Sequence, residues 1–291
     1  MMRTVNISLR DRQMDSEEIG QIVRRARHER DVALGDSMIG FGEAIERWIA
    51  RLSLSYGLVA YVLFLGTFLY VIAFSGNFIV PKTIDGGTAG PIGRAVAVDL
   101  ALLGIFAAQH SIMARRAFKR WWTSFVPEAL ERSTYVLAAT LALALMAWEW
   151  QPIPEPVVWT VGNGAGATAM WTVFWLGWGV ALLSTFLIDH FELVGLRQAA
   201  LRLTGDVIPE PEFRTPLLYR YVRHPLYFGL VLAFWSVPTM TAGHLLFSAG
   251  GTGYILVGIW FEERDLVYQF GDAYRRYRDQ VGMLLPWRKA S

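Results

Sequence analysis

The chain has 291 residues, 54% of them hydrophobic and 14% aromatic, with only 18% charged, a formal charge of +2 and no cysteine. This is too apolar for an ordinary soluble domain, and twelve Trp, 17 Phe and 11 Tyr suit a bundle with aromatic belts at both lipid interfaces. The lack of cysteine excludes disulfides, iron–sulfur clusters, thiolate–zinc sites and a cysteine nucleophile, and the small net charge argues for no nucleic-acid partner. Any chemistry must come from His, carboxylates, Arg, Tyr or a cofactor.

Residues 1–50 are polar, with nine Arg balanced by nine Asp or Glu up to Arg51 and no apolar run suited to a signal peptide. They are expected to form a cytoplasmic extension, and residues 51–291 a single membrane domain. Within the extension, Ile19, Ile22, Val23 and Ala26 recur at helical spacing and predict a charged surface helix over 17–30. Residues 52–80 carry no Asp, Glu, Lys, Arg or His and are long enough to span about 30 Å of hydrocarbon at about 1.5 Å per residue. Further spans are expected over 95–113, 133–148 and 165–188. After Pro225 an apolar stretch reaches Val237, meets Pro238 and restarts at His244 to continue to Trp260, which reads as a helical hairpin whose first arm is too short to span upright. A cytoplasmic C-terminal helix follows. The fold class is thus all-α, a polytopic bundle of about six membrane segments.

Lys and Arg number nine before the first span, two in 75–94, five in 114–133, none in 149–167, five in 190–224 and six after 261. Alternating the segments puts 25 of the 27 on one side, so both termini are expected in the cytoplasm.

This topology brings polar residues to one boundary. Gln109 and His110 end the second span there, Asp189 and His190 end the fourth, Tyr219, Arg223, His224 and Pro225 open the hairpin, and Glu262, Glu263 and Asp265 close it. Polar groups at the edge of a bundle are costly unless paired, so their convergence marks a candidate site. Singly, Arg223 and the two glutamates also read as interfacial anchors, and His110 and His190 as hydrogen-bonded structural histidines. Asp99 and His244 fall away from the cluster and are expected to be structural.

In RYVRHPLYFG, proline suits the first position of a helix and keeps His224 out of helical geometry, so a helix should start at Pro225. The free amides of Leu226 and Tyr227, with Arg223 and His224, would make an anion site for a ligand carboxylate. Glu262 and Asp265 share a helical face and could hold an ammonium group or ribose hydroxyls. The pattern suits a zwitterionic, adenosine-containing ligand.

The run RHPLYFG, a hydrophobic hairpin and then EERDLVYQFGDAYRRYRDQVGMLLP resembles the isoprenylcysteine carboxyl methyltransferase and phospholipid methyltransferase superfamily. The resemblance implies that Arg223, His224, Pro225, Tyr227, Gly229, Glu262, Glu263, Tyr274 and Tyr277 surround S-adenosylmethionine. GNFIVPKTID, FAAQHSIMARRAFKRWW, ERSTYVLAAT, STFLIDHFELVGLRQ and HPLYFGLVLAFWSVPTMTAGHLLF resemble the bacterial methanethiol S-methyltransferases over roughly residues 56–286, with parts shared by the NnrU-like membrane proteins. That resemblance implies an enzyme of the bacterial inner membrane that makes dimethyl sulfide, and the extension before Arg51 departs from it.

The expected reaction is in-line displacement, a small thiol attacking the sulfonium methyl with no metal required. Donor contacts are expected from Tyr219, Arg223, His224, Pro225, Leu226, Tyr227, Gly229, Glu262 and Glu263. Because a free alkyl thiol is mostly protonated at neutral pH, a base is needed, and His110 and His190 are the candidates. Asp189 is expected to orient or charge-balance a histidine, and Arg197 to stabilise the thiolate or anchor its loop. The thiol would enter from the lipid bilayer and the charged donor from the cytoplasm. Isoprenylcysteine or phospholipid methylation is the alternative acceptor chemistry, and a haem protein with His110 and His190 as axial ligands is the alternative from another class.

Overall fold

The computed structural model describes residues 16–204 and 212–286. The first fifteen residues of the expected extension, and Arg288 and Lys289 of the basic C-terminus, lie outside the described residues. The chain divides into two compact units, residues 1–51 and 52–291. In the first, the described residues are helical and mostly exposed, with ion pairs one helical turn apart at Arg25–Glu29 (3.1 Å) and Arg47–Glu43 (3.3 Å). Such exposed pairs contribute little.

The second unit is a helical bundle. Among the described residues, five helices are long and apolar enough to cross a membrane: α1 (Ser16–Ser75) through its apolar part, α2 (Ile92–Ala114), α4 (Glu128–Glu149), α5 (Ala165–Ile188) and α9 (Ala242–Phe270). The protein is an integral membrane protein. Shorter helices are α3 (Arg116–Trp122), α6 (His190–Leu193), α7 (Leu196–Thr204), α8 (Pro225–Trp235) and α10 (Asp272–Gln280). The first span stops at Ser75 rather than at Val80, because Gly76 and Asn77 turn the chain out of helix. Asn77 sits at φ 57° with its amide on Asp85 (2.6 Å), and a Cβ on Gly76 would lie 2.0 Å from the Phe78 ring. Helix α8 has 11 residues, about 16 Å at 1.5 Å per residue, which is half the hydrocarbon thickness.

The hairpin turn between α8 and α9 is not loose. Strand β2 (Thr239–Thr241) pairs antiparallel with β1 (Val157–Thr160), the segment before α5, and Thr241 Oγ1 caps α9 by accepting from His244 N (3.0 Å). Next to it, Phe74, Trp150, Phe174, Trp178, Phe234 and Phe247 interlock edge-to-face as the buried core.

The most extensive helix pairing is α5 with α8. Gly177 and Gly229 make it possible: a Cβ on Gly229 would lie 2.5 Å from Gly177 O and 2.6 Å from Ala181 N, and one on Gly177 would lie 2.6 Å from Ala233 N. Small residues four apart on both helices let the backbones touch, as in close membrane helix pairs. This contact brings the end of α5 beside the start of α8, at the end of the bundle opposite the two strands.

Candidate active site

Helix α5 ends where Asp189 becomes extended (φ −177°) and caps α6, its Oδ1 accepting from Glu192 N at 2.9 Å. Its other oxygen is paired with the Arg197 guanidinium, which also reaches Glu192 (3.1 Å). Arg197 therefore anchors the α6–α7 turn. The buried His190 has both ring nitrogens bonded, Nδ1 with Thr185 Oγ1 (2.8 Å) and Nε2 with Tyr61 OH (3.1 Å), and its ring stacks on Phe186 with centroids 4.2 Å apart. Burial holds its pKa below the ordinary value, against an opposing pull from Asp189.

Helix α8 begins at Pro225, as expected, after His224 at φ −126°, and no side chain caps it. Its first amides therefore face outward with the positive end of the helix dipole. The Arg223 guanidinium bonds Glu263 Oε1 through Nε (2.8 Å), and its Nη1 donates to the carbonyls of Arg278 (2.8 Å) and Val281 (2.7 Å). His224 Nε2 lies 3.1 Å from the same Glu263 oxygen. The main chain joins in, Arg223 N donating to Gly282 O and His224 N to Met283 O. Arg223 and Glu263, expected to grip opposite ends of a ligand, are thus paired with each other and lash the segment after α10 to the motif. Buried Tyr274 and half-buried Tyr277 support this junction: the Tyr277 hydroxyl donates to Tyr219 O (2.5 Å), and desolvation pushes its phenol up to about 12, so it stays protonated.

Glu262 is different. It accepts from Tyr227 OH (2.9 Å) yet keeps 44% of its side chain exposed. A cavity of about 150 Å³ opens beside it, lined by Ser184, Thr185, Ile188, Asp189 and Leu193 from the α5–α6 corner, Tyr219 and Arg223 before α8, His224, Leu226 and Tyr227 at its start, and Glu262. Seven of the residues expected from sequence meet there: Asp189, Tyr219, Arg223, His224, Leu226, Tyr227 and Glu262.

The others stand back. Pro225 starts the helix and Gly229 serves the α5–α8 contact, because its missing Cβ is filled by backbone and not by ligand space. Asp265 pairs with Arg115 (3.7 Å) instead of extending the Glu262 face. His110 packs on Phe106 and takes Tyr135 OH at Nε2 (2.7 Å), away from the cavity lining. With both nitrogens of His190 bonded, the paired-histidine haem arrangement has no support in this geometry. Sequence reading missed Thr185, Ser184 and Tyr61. The only signal for Thr185 is its place in STFLIDH, one turn before the helix break, where a hydroxyl is easily passed over as an intrahelical bond to a carbonyl.

No family model matches the chain and no solved structure matches it. Among curated proteins, it is 56% identical over 236 residues to a methanethiol S-methyltransferase of Mycobacterium tuberculosis, covering 81% of this chain and 96% of that protein. It is 51% identical over 249 residues to methanethiol S-methyltransferase 1 of Bradyrhizobium diazoefficiens, 86% of each. Nurim of Bos taurus is a more distant relative, 31% identical over 177 residues and covering 58% of this chain. With half or more of the residues shared across most of the length of those enzymes, this chain belongs to the methanethiol S-methyltransferase family.

Proposed function

We propose that the protein is a methyltransferase that converts methanethiol to dimethyl sulfide, with S-adenosylmethionine as methyl donor, in the cavity at the α5–α8 corner. The observation that carries the site is the meeting of an uncapped helix start, a half-exposed carboxylate and two tyrosines around one space. Those groups fit a zwitterionic cation: the amides of Leu226 and Tyr227 with His224 suit its carboxylate, Glu262 its ammonium or ribose, and Tyr219 and Tyr227 offer aromatic faces to a sulfonium. The donor supplies an already activated methyl group.

The chain's own part is to position, to exclude water and to take the thiol's proton. Ile188, Leu193 and Leu226 give the cavity an apolar wall that fits a small thiol. Asp189 and Arg197 hold the corner in shape, and Arg223 with Glu263 holds the C-terminal segment against the donor side. His190 is favoured over His110 as base, because it bonds Thr185, a residue that lines the cavity.

We place the cavity end at the cytoplasmic face of a bacterial inner membrane, which the distribution of Lys and Arg supports. The polar donor then reaches it from the cytoplasm and the thiol from the bilayer. Residues 1–50 form an accessory segment in this reading, with 51–291 the methyltransferase domain. Purified protein given methanethiol, isoprenylcysteine and phospholipid acceptors side by side tests the function: dimethyl sulfide formation is expected, and turnover of the lipid acceptors alone would replace it.

A further inference from the structure

His190 cannot reach a substrate itself. Phe186 covers one face of its ring, Tyr61 and Phe191 meet it edge-on at 5.6 and 5.5 Å between centroids, and its two nitrogens are fixed to Thr185 and Tyr61. Thr185 lines the cavity, His190 does not, and the Thr185 hydroxyl is bonded to this ring. Its Oγ1 lies 2.8 Å from His190 Nδ1 and 2.7 Å from Leu182 O, so a small rotation of one hydroxyl hydrogen switches it between donating to the helix carbonyl and donating to the histidine. Tyr61 OH on Nε2 can likewise donate or accept, which allows either tautomer of the ring.

Resting on the methyltransferase reading above, we infer that Thr185 is the residue that touches the acceptor thiol and that His190 acts through it, Thr185 relaying the thiol proton to His190 Nδ1 while Tyr61 holds the ring from behind. In the step, the thiol S–H proton passes to Thr185 Oγ1 as the Thr185 hydroxyl proton passes to His190 Nδ1. The thiol sulfur's electron pair forms the new bond to the methyl carbon, and the old carbon–sulfur bond of the donor breaks with its pair staying on the donor sulfur. The products are dimethyl sulfide, neutral S-adenosylhomocysteine and a protonated His190, which later returns its proton to water. Burial opposes the protonated ring, and Asp189, adjacent in the chain, favours it. Of the other charged groups around this corner, Arg197 pairs with both Asp189 and Glu192, Arg132 from α4 donates to Leu193 O, Arg223 and His224 bond Glu263, and Glu262, which accepts from Tyr227, faces the same cavity.

Three variants read the relay. Thr185→Val keeps the shape and removes the hydroxyl. It is expected to lower turnover about a hundredfold near pH 7, the usual worth of a positioned base, with the deficit shrinking above about pH 9 as solvent supplies thiolate. Thr185→Ser is expected to restore most of that loss. Affinity for S-adenosylhomocysteine, measured by calorimetry, should stay within about twofold in Thr185→Val. A readout independent of turnover comes from 13C-histidine labelling, practicable with five histidines in the chain: the signal lost in His190→Gln identifies His190, and in Thr185→Val its titration should shift because Nδ1 has lost its partner. Should Thr185→Val fail to fold, Tyr61→Phe takes its place, with a several-fold turnover loss and a shifted His190 titration expected. Turnover of Thr185→Val within about twofold of the parent, or a loss of the same size at all pH values, overturns the relay. A parent enzyme inactive on methanethiol overturns the function itself, so the two failures are distinguishable.

Discussion

Each end of the bundle holds a buried histidine and a carboxylate, and the two ends use them differently. At the strand end, Asp99 is fully buried and its Oδ1 takes Gln151 N (2.8 Å), while His244, also fully buried, lies 3.1 Å from Phe234 O and shares that carbonyl with Ser248 (2.7 Å). These groups tie loop to helix and helix to helix. At the other end, Arg223, Glu263, Asp189 and Arg197 do the same work of tying segments, yet Glu262 and Thr185 are left facing a cavity. A buried polar group in a membrane protein is therefore weak evidence of a site until an open space beside it is found. Its partners decide whether it is a brace or a contact.

That contrast can be broken by mutation, and the largest effect is expected at Arg223. Removing one member of a largely buried, multiply bonded ion pair costs up to about 3 to 5 kcal/mol, and here His224 still bonds Glu263, so a loss toward the lower end is expected. Arg223→Ala should lower thermal stability in detergent markedly and free the segment after α10, detected by faster proteolysis there. Unchanged stability would return Arg223 to a ligand contact, as its place in the motif first suggested.

Next comes His190→Ala, expected to lower turnover by roughly a hundredfold with partial recovery in alkali, whereas His110→Ala should leave the pH profile unchanged in shape. A reversed pattern would move the base to the His110–Tyr135 pair. Glu262→Gln should weaken S-adenosylhomocysteine binding by about 1.5 to 3 kcal/mol, on the order of ten- to a hundredfold, with melting temperature nearly unchanged. Asp99→Asn, at the opposite end, should do the converse: about 1 kcal/mol of stability lost and donor affinity untouched.

The smallest effect is a slope with pH. The unfolded His190 titrates near 6.5 and the folded one lower, because burial disfavours its charge. As pH falls through the unfolded value the unfolded chain takes up the proton first. This part of the stability is therefore complete above about pH 6.5 and declines below it, and His190→Gln should flatten the decline in melting temperature.

Much of this molecule was legible from residue types and spacing. Runs of about twenty apolar residues can only be satisfied as helices in lipid, so the spans over 95–113, 133–148 and 165–188 emerge within a few residues of α2, α4 and α5. Proline after His224 set the start of α8 just as directly. The heptapeptide RHPLYFG and the paired glutamates carried the family resemblance, since a motif with fixed chemistry survives without any knowledge of packing.

Partner choice was not legible. Nothing in the order of residues says that Arg223 bonds Glu263 and two carbonyls, that Asp265 turns to Arg115, or that Gly229 meets Gly177 rather than a ligand. Such pairings depend on how deeply two helices approach and on the rotation of each about its axis, which the sequence encodes only through the sum of all packing contacts. The same holds for Thr185: one threonine among many comes to line a cavity where the ends of α5 and α8 meet, and only the tertiary structure decides where space is left.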